Sequence, residues 1–142
     1  MIVVTVEYTH EFDYGHAEKE GACPVIAVSM SPAEMSSDEG IEIDAFLDSG
    51  ASISLFNGSF LRGFDIEIMN DRGKVFTSTA GVPLTAYLHR IKLTLPEFSS
   101  FDLDVAFSIN PIRRNLLGRD FFNLVQIGFR ENHSKYFLIS TP

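Results

Sequence analysis

The sequence predicts an all-β domain, on three observations. Runs rich in β-branched residues with two-residue alternation recur along the chain, turn residues separate them, and only one short segment has helical character. At 142 residues, 45% hydrophobic and 12% aromatic, the chain is long and apolar enough for one domain with a sizeable core. That composition excludes global disorder.

Taken in order, Ile2 to Tyr8 is β-branched and reads as a strand, and His10 to Gly21 reads as a polar loop. Pro24 to Met30 is the next strand. Ser31 to Gly40, with Pro32 and several serines and acids, is an exposed turn or short helix. Ile41 to Leu47 follows, with Ile41, Ile43, Ala45 and Leu47 on one face, and pairs with Pro24–Met30 as a hairpin. Ile53 to Phe60 leads out through the Asn57-Gly58 turn, and Phe64 to Met69 alternates again. The turn Asn70-Asp71-Arg72-Gly73 precedes a strand at Lys74 to Thr79. Ala80-Gly81 is a flexible point before the long alternating run Val82 to Leu95. There Pro83, unable to donate to a ladder, marks an edge or a projecting hairpin. Phe101 to Ile109 resumes the alternation, and Asn110 to Arg114 is a loop. Asn115 to Gly118 is a short apolar element, and Arg119 to Leu124 is the one helix, with Asp120 suited to its positive first turn. Gln126 to Arg130 and Tyr136 to Ile139 are closing strands around the polar turn Glu131 to Lys135.

Charge and cysteine content remove several classes of function. A formal charge of -8, from 11 basic and 19 acidic residues, argues against nucleic-acid or anionic-membrane partners. The lone cysteine, Cys23, excludes an internal disulfide and reads as a small buried hydrophobe. His10 and His16 fall in one polar segment but lack further ligands at metal spacing, so neither metal nor cofactor is implied. Met1 to Glu7 lacks the basic leader and long apolar run of a signal peptide, and no 18-residue apolar run exists. The expected location is cytoplasmic.

The stretch with chemical content is Ala45-Phe46-Leu47-Asp48-Ser49-Gly50-Ala51-Ser52. A buried strand runs straight into a carboxylate, a hydroxyl and a glycine turn. An ionisable group at the inner end of such a strand is costly unless it is hydrogen-bonded or used.

Three stretches in this order resemble the retroviral-type, or retropepsin-like, aspartic proteases, and the small cellular and microbial members in particular. Asp48-Ser49-Gly50-Ala51 after an apolar strand resembles the family's catalytic signature. Thr77-Ser78-Thr79-Ala80-Gly81 with the run behind it resembles the flap hairpin. Asn115-Leu116-Leu117-Gly118-Arg119-Asp120 is similar to the apolar Gly-Arg-Asn/Asp element that opens the family's helix. The resemblance covers residues 24–139 and implies a single retropepsin-like domain with residues 1–21 as an N-terminal extension. The implied fold is a closed, orthogonal barrel-like domain with one short helix and a flap hairpin. Two departures stand out: Ser52 occupies a place where viral members often carry a second aspartate pairing with the arginine, so Arg119 must find another partner or the backbone. The flap has one glycine where viral tips have several.

Peptide hydrolysis by this chemistry needs two facing carboxylates, one activating water and the other, protonated, polarising the carbonyl. This chain carries one such motif, so the second Asp48 must come from another copy, as a C2 homodimer. The resemblance then makes Asp48, Ser49 and Gly50 catalytic, with Ser49 bonding across the dimer. Ala51, Ser52, Ser78, Thr79, Ala80, Gly81 and Val82 would contact a peptide or unfolded-protein substrate. Leu116, Leu117, Gly118 and Arg119 would support the catalytic loop. The alternative is a dimerisation or peptide-binding module of the same fold that does not cleave. A third possibility is a fold-sharing structural protein with no peptide site. His89 and His133 read as surface or interface residues.

Overall fold

A computed structural model describes residues 1–17, 21–35, 39–70, 73–79 and 81–140, with Phe76 and Ser140 described at the backbone only. The first long hairpin forms as expected: β4 (Val25–Pro32) lies antiparallel to β5 (Ile41–Leu47), with Val25 opposite Phe46 and Met30 opposite Ile41. Alternation explains the faces. Ile43, Ala45 and Leu47 are buried, while Glu42 and Asp44 between them are exposed.

β5 then pairs in parallel with β10 (Asn115–Leu117), which is antiparallel to β6 (Leu55–Asn57), which is parallel to β9 (Ser100–Ser108). β9 is antiparallel to β8 (Val82–Thr94), and the last residues of β8 return to β4, with Met30 opposite Leu93. The pairings β4-β5-β10-β6-β9-β8-β4 close a barrel of six strands, the retropepsin-like all-β fold. Only the first half of β8 pairs with β7 (Lys74–Thr79), on the side that β4 takes further along. The β7–β8 hairpin therefore projects from the barrel, which places Pro83 as its sequence position suggests.

A second sheet, ordered β1-β12-β11, is built from β1 (His10–Asp13), β11 (Val125–Arg130) and β12 (Lys135–Ser140). Tyr136 and Leu138 carry it onto the barrel core, where they join Phe56, Phe107, Phe121 and Leu117 in one buried cluster. Phe12 stacks on Tyr136 with ring centroids 5.1 Å apart. A small hairpin of β2 (Gly15–Ala17) and β3 (Gly21–Cys23) completes the strands, with the free thiol of Cys23 half-buried at its end rather than fully buried.

Three local expectations are corrected. Ile2 to Tyr8 forms no strand, and Ile2, Val3 and Val4 are exposed by 90%, 76% and 78%. β-branched composition supplies no partner strand, and the ladder forms instead at His10–Asp13, in the segment read as loop, where Phe12 can be covered. Phe64 to Met69 is irregular, with Asp65 at φ 56°. Its alternation is satisfied by packing alone, since Phe64, Ile66 and Ile68 face the core without a neighbouring ladder. Among the described residues two four-residue α-helices form rather than one: α1 (Ser59–Arg62) follows the Asn57-Gly58 turn, and α2 (Arg119–Phe122) lies where a helix was expected. His89, read as a surface or interface residue, is half-buried, with Nε2 donating to the Ile68 carbonyl at 2.7 Å.

Candidate active site

The parallel pairing of β5 with β10 fixes where the Asp48 loop begins. Leu47 sits opposite Leu117, and one residue further on the Asp48 N–H donates to the Leu117 carbonyl at 2.9 Å. Both leucines are buried, so the chain must leave the core at Asp48. The turn is local. Gly50 N–H donates to Asp48 Oδ1 at 2.8 Å, and Ala51 N–H to the Asp48 carbonyl at 3.2 Å. Asp48 is half-buried, while Ser49, Gly50 and Ser52 are exposed.

The loop is anchored from behind. Gly118 N–H donates to Ser54 Oγ at 3.0 Å, and Arg119 N–H to the Ala51 carbonyl at 2.8 Å. Only glycine fits at position 118, because a Cβ there would lie 2.7 Å from the carbonyl oxygens of both Ala51 and Ile53. Ser54 is fully buried, and its N–H and hydroxyl donate to Asp120 Oδ2 at 2.9 Å and Oδ1 at 2.7 Å. Phe121 N–H adds a third donor to Oδ1 at 2.8 Å. Asp120 thus ties α2 to the Asp48 loop, a role that its place in the helix's first turn does not reveal. Asn57 does similar work nearby: its N–H donates to Asn115 Oδ1 at 2.9 Å, and its Oδ1 accepts from Ile112 N–H at 2.7 Å.

Arg119 itself is exposed. Among the described residues no carboxylate pairs with it, and its contribution is the backbone bond to Ala51. Leu116 and Leu117 continue β10 beside β5, and Arg114 lies over the Phe46 ring, 4.5 Å from its centroid.

Above the loop stands the β7–β8 hairpin, with Ser78 opposite Pro83 and Thr79 opposite Val82. Gly81 takes φ 78° at the turn, and Val82 is 57% exposed. Ala80, expected at the tip, lies outside the described residues. Between hairpin and loop is a cavity of about 210 Å³ that brings together Gly50, Ala51, Ser52, Ser78 and Leu116 with three residues not assigned to the site from the sequence, Ile53, Leu55 and Thr77. Thr79, Gly81 and Val82 do not line it. Two larger surface cavities, about 450 and 550 Å³, flank Ile66 and Met69 and contain no residue of the Asp48 loop. Among the described residues no group of three or more His, Cys, Asp or Glu side chains could hold a metal ion. No helix among them is long and apolar enough to cross a membrane.

No protein-family model matches the chain, and no curated protein matches it. Among solved structures it is similar to EIAV protease complexed with the inhibitor HBY-793, with a TM-score of 0.54 and 13% identity over 75% of this chain and 91% of that one. At that identity the likeness concerns the fold, and the fold is retropepsin-like.

Proposed function

We propose that this protein is an aspartic endopeptidase that acts as a homodimer, with one Asp48 from each subunit forming its catalytic pair. The observation that carries the reading is the placement of Asp48: a carboxylate at the end of a buried strand, on a loop held by Gly118, Ser54 and Asp120, beneath a projecting hairpin, in the fold of EIAV protease. Each chain has a single loop of this kind, and a single carboxylate cannot act as base and acid in one step, so a second copy completes the site.

In that pair one carboxylate takes a proton from water while the other, protonated, hydrogen-bonds the scissile carbonyl. Water attacks the carbonyl carbon, the roles reverse, and the departing nitrogen receives a proton as the C–N bond breaks. No covalent intermediate forms. Gly50 keeps backbone close to the pair, and its N–H holds Asp48 Oδ1 in place. Ser49 is exposed beside Asp48, and in the dimer its hydroxyl bonds to the partner's backbone across the two-fold axis. The substrate lies extended between the loop and the hairpin, bonding through its backbone.

The test is hydrolysis of an unfolded protein at acid pH by the native chain and by Asp48→Asn, with sedimentation at the assay concentration. Cleavage by a dimer, reduced by more than about 100-fold in the variant, is expected. Turnover by Asp48→Asn, or by a strictly monomeric chain, refutes the mechanism. Peptide binding by the native chain without turnover would favour the non-cleaving module.

A further inference from the structure

The cavity beside the Asp48 loop has an uneven lining. Its floor is apolar, from Ile53, Leu55 and Leu116, whereas its walls carry hydroxyl residues, Ser52 from the loop and Thr77 and Ser78 from β7. Successive side chains on a strand point to opposite faces, and directly opposed residues share a face. Thr77 is paired with Leu84, and Leu84 is buried in the cluster containing Leu55. The Thr77 side chain therefore faces the cavity, and Ser78 lines it through backbone.

Among the described residues, neither the Ser52 hydroxyl nor the Thr77 hydroxyl has a hydrogen-bond partner within the protein. The buried hydroxyls nearby are fully used: Ser54 donates to Asp120 at 2.7 Å and Ser108 to the Asn110 carbonyl at 2.6 Å. Among the described residues no charged side chain lines the cavity, so a charged guest would find no counter-ion from them. At about 210 Å³ the space suits one side chain rather than a whole small-molecule ligand.

We infer that this cavity is a specificity subsite for a neutral, hydrogen-bonding side chain (Ser, Thr, Asn or Gln), with Thr77 and Ser52 as the residues that select it. This rests on the proteolytic reading above for its place in a reaction, and on the cavity alone for binding. In a C2 dimer the subsite occurs twice, once on each side of the axis, so such side chains are selected on both sides of the cleaved bond. The cavity is open to solvent on one side, so the discrimination is that of one or two partly solvated hydrogen bonds, about tenfold.

The experiment separates this inference from the catalytic reading by using binding. Full-length Asp48→Asn is immobilised and presented with a library of extended peptides. Retained peptides are sequenced, and the same peptides are offered to the native chain for cleavage. Expected is about tenfold enrichment of Ser, Thr, Asn and Gln over Leu and Phe at a defined position, falling below about threefold when Thr77→Val is added. Valine keeps the β-branched shape of Thr77 within the strand, and Ser52→Ala on an exposed loop position gives a second, independent variant expected to weaken the same preference. Enrichment of large apolar residues at every position, a preference unmoved by both variants, or no retained peptide overturns the inference. Polar-selective retention with no turnover by the native chain keeps the subsite and removes the protease. Turnover with apolar selection does the reverse.

Discussion

Removing the Asp120 carboxylate should loosen the Asp48 loop more than any other single polar substitution near it. Its two oxygens accept from three donors, Ser54 N–H, Ser54 O–H and Phe121 N–H, at 2.9, 2.7 and 2.8 Å. Ser54 is 0% exposed, so water reaches its donors only from the half-buried side that the Asp120 carboxylate vacates. A buried donor left without an acceptor costs about 1–3 kcal/mol. For Asp120→Ala, two buried donors are stranded and the third, at the start of α2, can reach solvent, giving about 3–5 kcal/mol. Asp120→Asn keeps an oxygen in the Oδ1 position for two of the donors but sets an amide N–H₂ against the Ser54 N–H, for about 1–3 kcal/mol. For a domain of this size, each kcal/mol lowers Tm by about 3 °C, so roughly 9–15 °C is expected for Ala and roughly 3–9 °C for Asn. Thermal unfolding followed by circular dichroism reads both. Because the loop frays before the barrel does, amide exchange at Gly50, Ala51 and Gly118 should accelerate in both variants under native conditions. A Tm drop under about 2 °C for Asp120→Ala, or an Asn variant worse than the Ala variant, refutes the assignment of Asp120 as the anchor of the loop.

Three further outcomes are expected. Gly118→Ala pushes a Cβ to 2.7 Å from two backbone carbonyls that cannot swing away, so it should cost about 2–3 kcal/mol by urea denaturation and displace the Asp48 loop. Gly81→Ala meets nothing within 4 Å but must adopt φ 78°, so it should cost only about 1 kcal/mol while altering the turn of the β7–β8 hairpin, which chemical shifts at Thr79 and Val82 would report. At high pH, Tyr14 is pushed up to about 12 by burial, by its hydrogen bond to Glu131 at 2.6 Å and by that carboxylate's charge, and burial raises Tyr136 as well. Both folded-state values lie above the ordinary tyrosine value near 10, so their contribution is intact below pH of about 10 and is lost as pH rises, that of Tyr14 through about 12 and that of Tyr136 higher still. Alkaline unfolding should therefore coincide with tyrosinate absorbance from these two residues, and Tyr14→Phe should remove its share of the pH slope. Tyrosinate formation at both sites near pH 10 with the fold intact would contradict it.

Much of the site was legible because it follows from order along the chain. An apolar strand ending in Asp48-Ser49-Gly50, a Pro-bearing hairpin run after Gly81, and Leu117-Gly118 before a helix each announce themselves locally, through periodicity and turn chemistry. Residues 2–8 and 64–69 misled for the same reason. Alternation and β-branching describe what a segment can do on a half-buried surface, and they do not say whether a partner strand is there to receive it.

What the sequence determined by itself was the class of fold, the hairpins between neighbouring strands, and the position of the one carboxylate with chemical promise. Tertiary structure alone decided the rest: that β8 returns to β4 to close the barrel, that β5 meets β10 in parallel, that Ser54 and Asp120 join behind the loop, and that Thr77 and Ser52 line one cavity. The physical reason is range. Turns and alternation are set by neighbours a few residues apart, whereas a part-buried hydrogen bond between residues 66 positions apart exists only after the chain has closed on itself.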